Sequence, residues 1–152
     1  MKIVVDSNIV FSAILNSDGN IGQLILEGSE YFDFFSVSLL KGEILNHKKK
    51  ILKIGRFSDE QFAKVYLLVL SKITFIEDIV LSTSDLISAY ELVKDIDEND
   101  AMFVALNTYL NAQLWTGDKK LIAGLSRKNY LNTLTTNELY KNYLELKSKS
   151  LK

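Results

Sequence analysis

Cysteine and proline are both absent from this 152-residue chain, and histidine and tryptophan occur once each, as His47 and Trp115. Without cysteine there is no disulfide framework and no thiolate zinc or iron–sulfur site. Any metal has to be held by oxygen ligands or by the single imidazole, which favours a hard cation. Without proline, helix ends fall to Ser, Thr, Asn, Asp and Gly. Long apolar runs are missing too: none approaches the roughly 18 residues that a membrane span needs, and no charged-then-apolar leader with a small-residue cleavage site opens the sequence. The expectation is a cytoplasmic protein with no membrane partner.

What is present suits one globular domain. Hydrophobic residues make up 47% of the chain, enough at this length to bury a sizeable core. The net charge of −1 hides an uneven distribution. Six of the 18 basic residues fall between Lys41 and Arg56 against one acid, Glu43, whereas eight of the 19 acids fall between Glu77 and Asp100. One surface is expected to be basic and another acidic.

Short β-rich runs, IVV, DFFSV, ITFIE, QLWT and LNTLTT, alternate with longer segments of helical spacing. That alternation is the pattern of an open, parallel α/β sheet. Segment 58 to 71 starts with Ser58 and has Gln61 three residues on, a capping-box pattern, with Phe62, Val65, Tyr66, Val69 and Leu70 on one stripe. Segment 83 to 95 carries Leu86, Ile87, Tyr90 and Val93 in the same way. Both stripes are expected to be packing faces.

Four carboxylates stand out against this frame. Asp6 stops the IVV strand, Asp118 follows the QLWT strand across a Thr-Gly turn, and Asp100 begins a strongly apolar helix in DIDENDAMFVAL. Glu43, in SLLKGEIL, lies where the DFFSV strand leads into a helix. The carboxyl ends of the strands of an open α/β sheet face one crevice, so acids far apart in sequence converge there. Crowded carboxylates repel unless a multivalent cation balances them. Mg²⁺ or Mn²⁺ does so with oxygen ligands, and then polarises a phosphoryl oxygen and activates water for phosphodiester hydrolysis. Taken singly, Asp6 and Asp118 read equally well as helix N-caps, and Asp100 as an acid favoured by a helix dipole. Their value is joint.

The set VVDSNIVFSAI, SLLKGEIL, DIDENDAMFVAL and LWTGDKKLI, in this order, resembles the PIN-domain family of ribonucleases, including the VapC-type toxins of bacterial toxin–antitoxin pairs. The resemblance runs from residue 1 to about 136, with TGDKKL its most specific part. It implies a doubly wound α/β/α sandwich around a mostly parallel twisted sheet and Mg²⁺- or Mn²⁺-dependent cleavage of RNA. It also implies an acidic quartet of Asp6, Glu43, Asp100 and Asp118. Ser7, Asn8 and Thr116 would brace that site, a homodimer would be the assembly, and an antitoxin protein is the partner a toxin would have. Residues 1–136 would form the nuclease domain, and 137–152 a C-terminal helix and basic tail of the same domain.

Other features bear on a polyanionic substrate. The run Lys48, Lys49 and Lys50 is either a solvated face or a path for RNA phosphates past the acids. Trp115, Tyr130 and Phe57 are candidates for base stacking, although Trp115 falls in a central strand and is expected in the core. His47 lies one helical turn after Glu43 but is expected to face solvent among the lysines. Asp97 is expected to cap the helix that presents Asp100, its side chain accepting from the backbone of Asn99 or Asp100. Competing folds fit less well. A receiver-like domain wants an acid pair near the first strand, a dehalogenase-like phosphatase wants Asp where Asn8 stands, and a catalytically silent interaction module has no need of all four acids.

Overall fold

Ile3, Val4 and Val5 are all fully buried, as a strand covered on both faces requires. In the computed structural model, which describes residues 1–152, they lie in β1 (Lys2–Val5), followed along the chain by β2 (Asp33–Val37), β3 (Thr74–Ile76), β4 (Gln113–Trp115) and β5 (Thr133–Leu134). These are the five β-rich runs of the sequence. They form one sheet in the order β3-β2-β1-β4-β5, with every pair parallel. Ile3 stands opposite Phe34 on one side, and Val5 opposite Trp115 on the other.

Nine helices cross between and around the strands: α1 (Ser7–Leu15), α2 (Asn20–Leu26), α3 (Leu39–Asn46), α4 (Lys48–Gly55), α5 (Asp59–Ser71), α6 (Thr83–Val93), α7 (Ala101–Leu110), α8 (Lys119–Arg127) and α9 (Thr136–Ser150). They pack in two groups. α1 and α2 pack together with α5 and α9, while α6 packs on α7 and α8. With both faces of β1 buried between them, the architecture is an α/β/α sandwich. No single helix is long and apolar enough to cross a membrane.

Capping sets the helix starts in the absence of proline. Ser58 Oγ accepts from the Gln61 N–H at 3.1 Å while the Ser58 N–H donates to Gln61 Oε1 at 2.9 Å, so the expected box opens α5. Thr135 and Glu138 form a second box at α9. The α5 stripe packs as expected: Phe62 and Val69 are buried, and Val65, Tyr66 and Leu70 are half-buried. Those residues therefore pack against this chain's own core. The α6 stripe differs. Ala89 and Val93 are buried and Leu86 half-buried, but Ile87 and Tyr90 are 58% and 43% exposed. Spacing of i, i+3 and i+7 puts residues 86, 89 and 93 on one line, and small Ala89 lets that line approach α7, which turns Ile87 and Tyr90 outward.

The C-terminal segment is helical to Ser150, with Leu139 and Tyr143 buried. Tyr143 donates its hydroxyl hydrogen to Glu27, and Tyr140 Oη donates to Gln23 Oε1 at 3.0 Å, tying α9 to α2 and the residue after it.

Candidate active site

The sheet places Asp6. It follows β1 directly, is 4% exposed, and its Oδ1 accepts from the Ile9 N–H at 3.0 Å, so it caps α1. Because Val5 is in register with Trp115, the next residues, Asp6 and Thr116, come side by side, and the Asp6 N–H reaches the Trp115 carbonyl at 3.4 Å. Burial pushes the Asp6 carboxyl above its ordinary value. The Thr116 hydroxyl and the Ile9 N–H pull it down, and Asp118 adds to the rise. β1 and β4 are the neighbours at which the strand order reverses, the point where open α/β sheets bind ligands.

Asp118 comes off β4 through Thr116 and Gly117. Its Oδ1 accepts from the N–H groups of Lys120 and Leu121 at 3.0 and 3.1 Å, capping α8. Its own N–H donates to Thr116 Oγ1 at 3.1 Å, so one buried hydroxyl serves the neighbourhood of both acids. Capping uses Oδ1 in each case. The capping and site readings of Asp6 and Asp118 are therefore compatible.

Asp100 stands between a short 3₁₀ turn, Glu98–Asp100, and α7. It is half-buried, and its Oδ2 is shielded from water with no hydrogen-bond partner. Its carboxyl is pushed up to about 7, first by desolvation and then by the negative charges of Asp97, Asp6 and Asp118. Asp97 Oδ1 accepts from the Asn99 N–H at 3.0 Å, as expected of the cap, although what it caps is the 3₁₀ turn and not α7 itself.

Glu43 is exposed on α3 and lines, with Asp97, Asp100, Ser7, Asn8 and His47, a cavity of about 590 Å³. Asp6 and Asp118 do not line this cavity; their link to it is the field they exert on Asp100. No three carboxylates are gathered into a ready cage for a metal ion.

The lysine run divides. Lys48 Nζ pairs with Asp59 at 3.0 Å and lies over the Phe62 ring, so it serves the α4–α5 junction. Lys50 lines a second cavity, of about 330 Å³, that shares Asn8, Phe11 and His47 with the acidic one. Lys49 is exposed. The three lysines do not form one patch, because the chain breaks at His47 between α3 and α4 and the new helix turns successive residues to different sides. His47 is exposed, as expected, yet it belongs to the crevice: Nδ1 lies 2.9 Å from the Glu43 carbonyl and the ring meets Phe11 edge-on at 5.6 Å.

The stacking candidates are otherwise engaged. Trp115 is fully buried and donates from Nε1 to Thr136 Oγ1 at 3.0 Å. The Tyr130 hydroxyl accepts from Asn107 Nδ2 at 2.8 Å, and Phe57 packs on the core. Two residues escaped sequence reasoning. Phe11 looks in the sequence like any apolar position of α1. Buried Ser36, whose hydroxyl donates to the Val5 carbonyl at 2.8 Å just before Asp6, left a signal as the one polar residue between Phe35 and Val37.

Residues 4–142 match the family model of the PIN domain. The chain belongs to the PIN-domain family. PIN domains are generally nucleases, and membership sets aside the receiver-like and phosphatase-like alternatives. Two solved structures share this PIN fold. One is VapBC2 from Rickettsia felis, bound to a DNA fragment from their promoter, at 18% identity and a TM-score of 0.64, covering 89% of this chain and 98% of that one. The other is PAE2754 from Pyrobaculum aerophilum, at 16% identity and a TM-score of 0.65, covering 95% and 99%. At these identities the likeness is one of fold. None of the curated proteins matches the sequence.

Proposed function

We propose that this PIN-domain chain is a divalent-cation-dependent ribonuclease that hydrolyses phosphodiester bonds of single-stranded RNA, with Mg²⁺ or Mn²⁺ held among Asp6, Glu43, Asp100 and Asp118. The observation that carries this reading is Asp100: a half-buried carboxylate with an unpartnered Oδ2, its carboxyl pushed up to about 7 by burial and then by the acids around it. A hard cation relieves both the repulsion and the missing partner, and every side-chain donor in the quartet is oxygen. When bound, the cation supplies charge to a phosphoryl oxygen and lowers the pKa of a water. The chain's own residues do the positioning. Thr116 and Ser36 fix the strand ends that carry Asp6 and Asp118, Asp97 holds the turn that presents Asp100, and Ser7 and Asn8 offer hydrogen bonds at the crevice wall. Lys50 is the lysine of the run best placed for a phosphate.

Residues 1–136 are the nuclease domain of this reading, with 137–152 as a C-terminal helix and tail of the same domain, and its place is the cytoplasm. The fold shared with VapBC2 supports a role as the toxin of a toxin–antitoxin pair, with an antitoxin as protein partner; the assembly proposed for it is a homodimer. Co-purification with the product of a neighbouring small reading frame, and the solution mass, test those two points.

Cleavage of an unstructured oligoribonucleotide tests the activity. Mn²⁺ is expected to support it and a chelator to abolish it. Asp6→Asn retains the cap, Asn being as good at that position as Asp, but removes a ligand charge. Full activity in Asp6→Asn would sink the metal assignment.

A further inference from the structure

The 330 Å³ cavity beside the acids has a character of its own. Four of its seven lining residues are hydrophobic, among them Phe11, Ile51 and Ile54, and its polar side chains are Asn8, His47 and Lys50. No acid lines it, whereas Glu43, Asp97, Glu98 and Asp100 all line its neighbour. The two share Asn8, Phe11 and His47, so they adjoin across these side chains, an acidic cavity beside an apolar, cationic one. Ile54 leaves 58% of its surface in water on the wall of the apolar cavity. An apolar wall, a hydrogen-bonding amide and a single ammonium group are the complement of a nucleotide: a flat base with polar edges, carrying a phosphate.

We propose that this cavity is a base-binding subsite, taking the unpaired nucleobase of the nucleotide next to the phosphate at the acids. The base face lies on Ile54 and the Phe11 ring, Asn8 meets the base edge, and Lys50 meets that nucleotide's own phosphate. The proposal rests on the ribonuclease reading above and narrows it. A base can enter only when splayed out of a helix, so the subsite makes unpaired RNA the substrate and the identity of one base a determinant of cleavage. The occupant is a base and not a bare anion, because the four apolar residues would contribute nothing to a phosphate alone. The three residues shared with the acidic crevice distinguish this cavity from those elsewhere on the surface.

The test compares an unstructured oligoribonucleotide with a set of the same sequence in which one abasic nucleotide is walked along the chain. Binding is followed by fluorescence anisotropy without metal, and cleavage is followed with Mn²⁺. Stacking on aromatic and apolar side chains gives an expected loss of about tenfold in affinity at one abasic position. The same position should lose about tenfold in kcat/KM, and it should lie next to the cleaved bond. Ile54→Gln should bring the intact and abasic strands to within about twofold of each other. Leu131→Gln, at a leucine 69% exposed and outside both cavities, should leave the difference in place. Equal affinity for intact and abasic strands at every position, including failure to bind either, overturns the subsite. So does an unaltered difference in Ile54→Gln, and a cavity that serves a peptide from a protein partner would give either result. The two readings fail separately. Mn²⁺-dependent cleavage with indifference to abasic sites removes the subsite alone, while base-dependent binding without cleavage in Mn²⁺ removes the ribonuclease reading alone.

Discussion

Asp100 titrates in the wrong range for a free carboxylate. Its folded value of about 7 against an ordinary 3.8 means that the folded chain binds this proton more tightly than the unfolded chain does. The stability contributed by this group is present in full below about 4 and is lost as pH rises through about 7. Asp6 is shifted in the same direction. The metal-free protein should therefore lose stability as pH rises across this window, and Asp100→Asn should flatten that dependence. A cation at the site replaces the proton, so the increase in melting temperature on adding Mn²⁺ should grow from about pH 5 to about pH 8. Thermal melts with and without Mn²⁺ check both trends, and a Mn²⁺ effect independent of pH would contradict the assignment. Asp97 separates from Asp100 by its bond to the Asn99 N–H. Asp97→Asn should keep the cap and much of the activity, whereas Asp97→Ala should cost about 1 kcal/mol in urea unfolding. Asp100→Asn should abolish cleavage with little loss of stability. Equal loss of Mn²⁺ affinity in the two Asn variants would make Asp97 a direct ligand.

Among the elements, α4 decides what the basic segment does. In the sequence, Lys48 to Lys50 are three equivalent charges; on the helix, Lys48 faces Asp59 and Lys50 lines the apolar cavity. Lys50→Gln should weaken binding of single-stranded RNA and lower its salt slope by about 0.7, the value of one phosphate contact. Lys48→Gln should leave the slope alone and change stability by less than about 1 kcal/mol, since an exposed pair with Asp59 is worth no more. Equal slopes for both variants and the parent chain would return the whole run to solvent. The reason the sequence misleads here is local. Nothing between Glu43 and Lys53 announces a break, yet the chain leaves α3 at His47 and begins a new helix at once. The α5 box was legible because Ser58 and Gln61 act through bonds within one turn, whereas the outward turn of Ile87 and Tyr90 depends on what α6 packs against.

For the molecule as a whole, the alternation of β-rich runs and helical spacing carried all five strands and their parallel sense, because parallel neighbours need long crossovers and the helical segments between the runs supply them. Strand order is a property of long-range pairing. Yet it is the order, with β1 beside β4, that sets Asp6 next to Thr116 and within the field of Asp118. Asp6, Asp100 and Asp118 are visible because each stands at the start of a helix, where a charge needs a reason, whereas Glu43 lies within α3 and is visible only with the other three. The apolar cavity beside the acids is not, since Phe11 and Ile54 differ from core residues only in what fails to cover them. The central claim is that these separated carboxylates are one cation site, and calorimetric titration of the intact chain with Mn²⁺ at about pH 7.5 tests it most directly. The expected result is saturable binding that Asp6→Asn, Asp100→Asn and Asp118→Asn each reduce by at least about tenfold, while Lys49→Gln does not. Absence of binding, or binding that survives all three Asn substitutions, would contradict it.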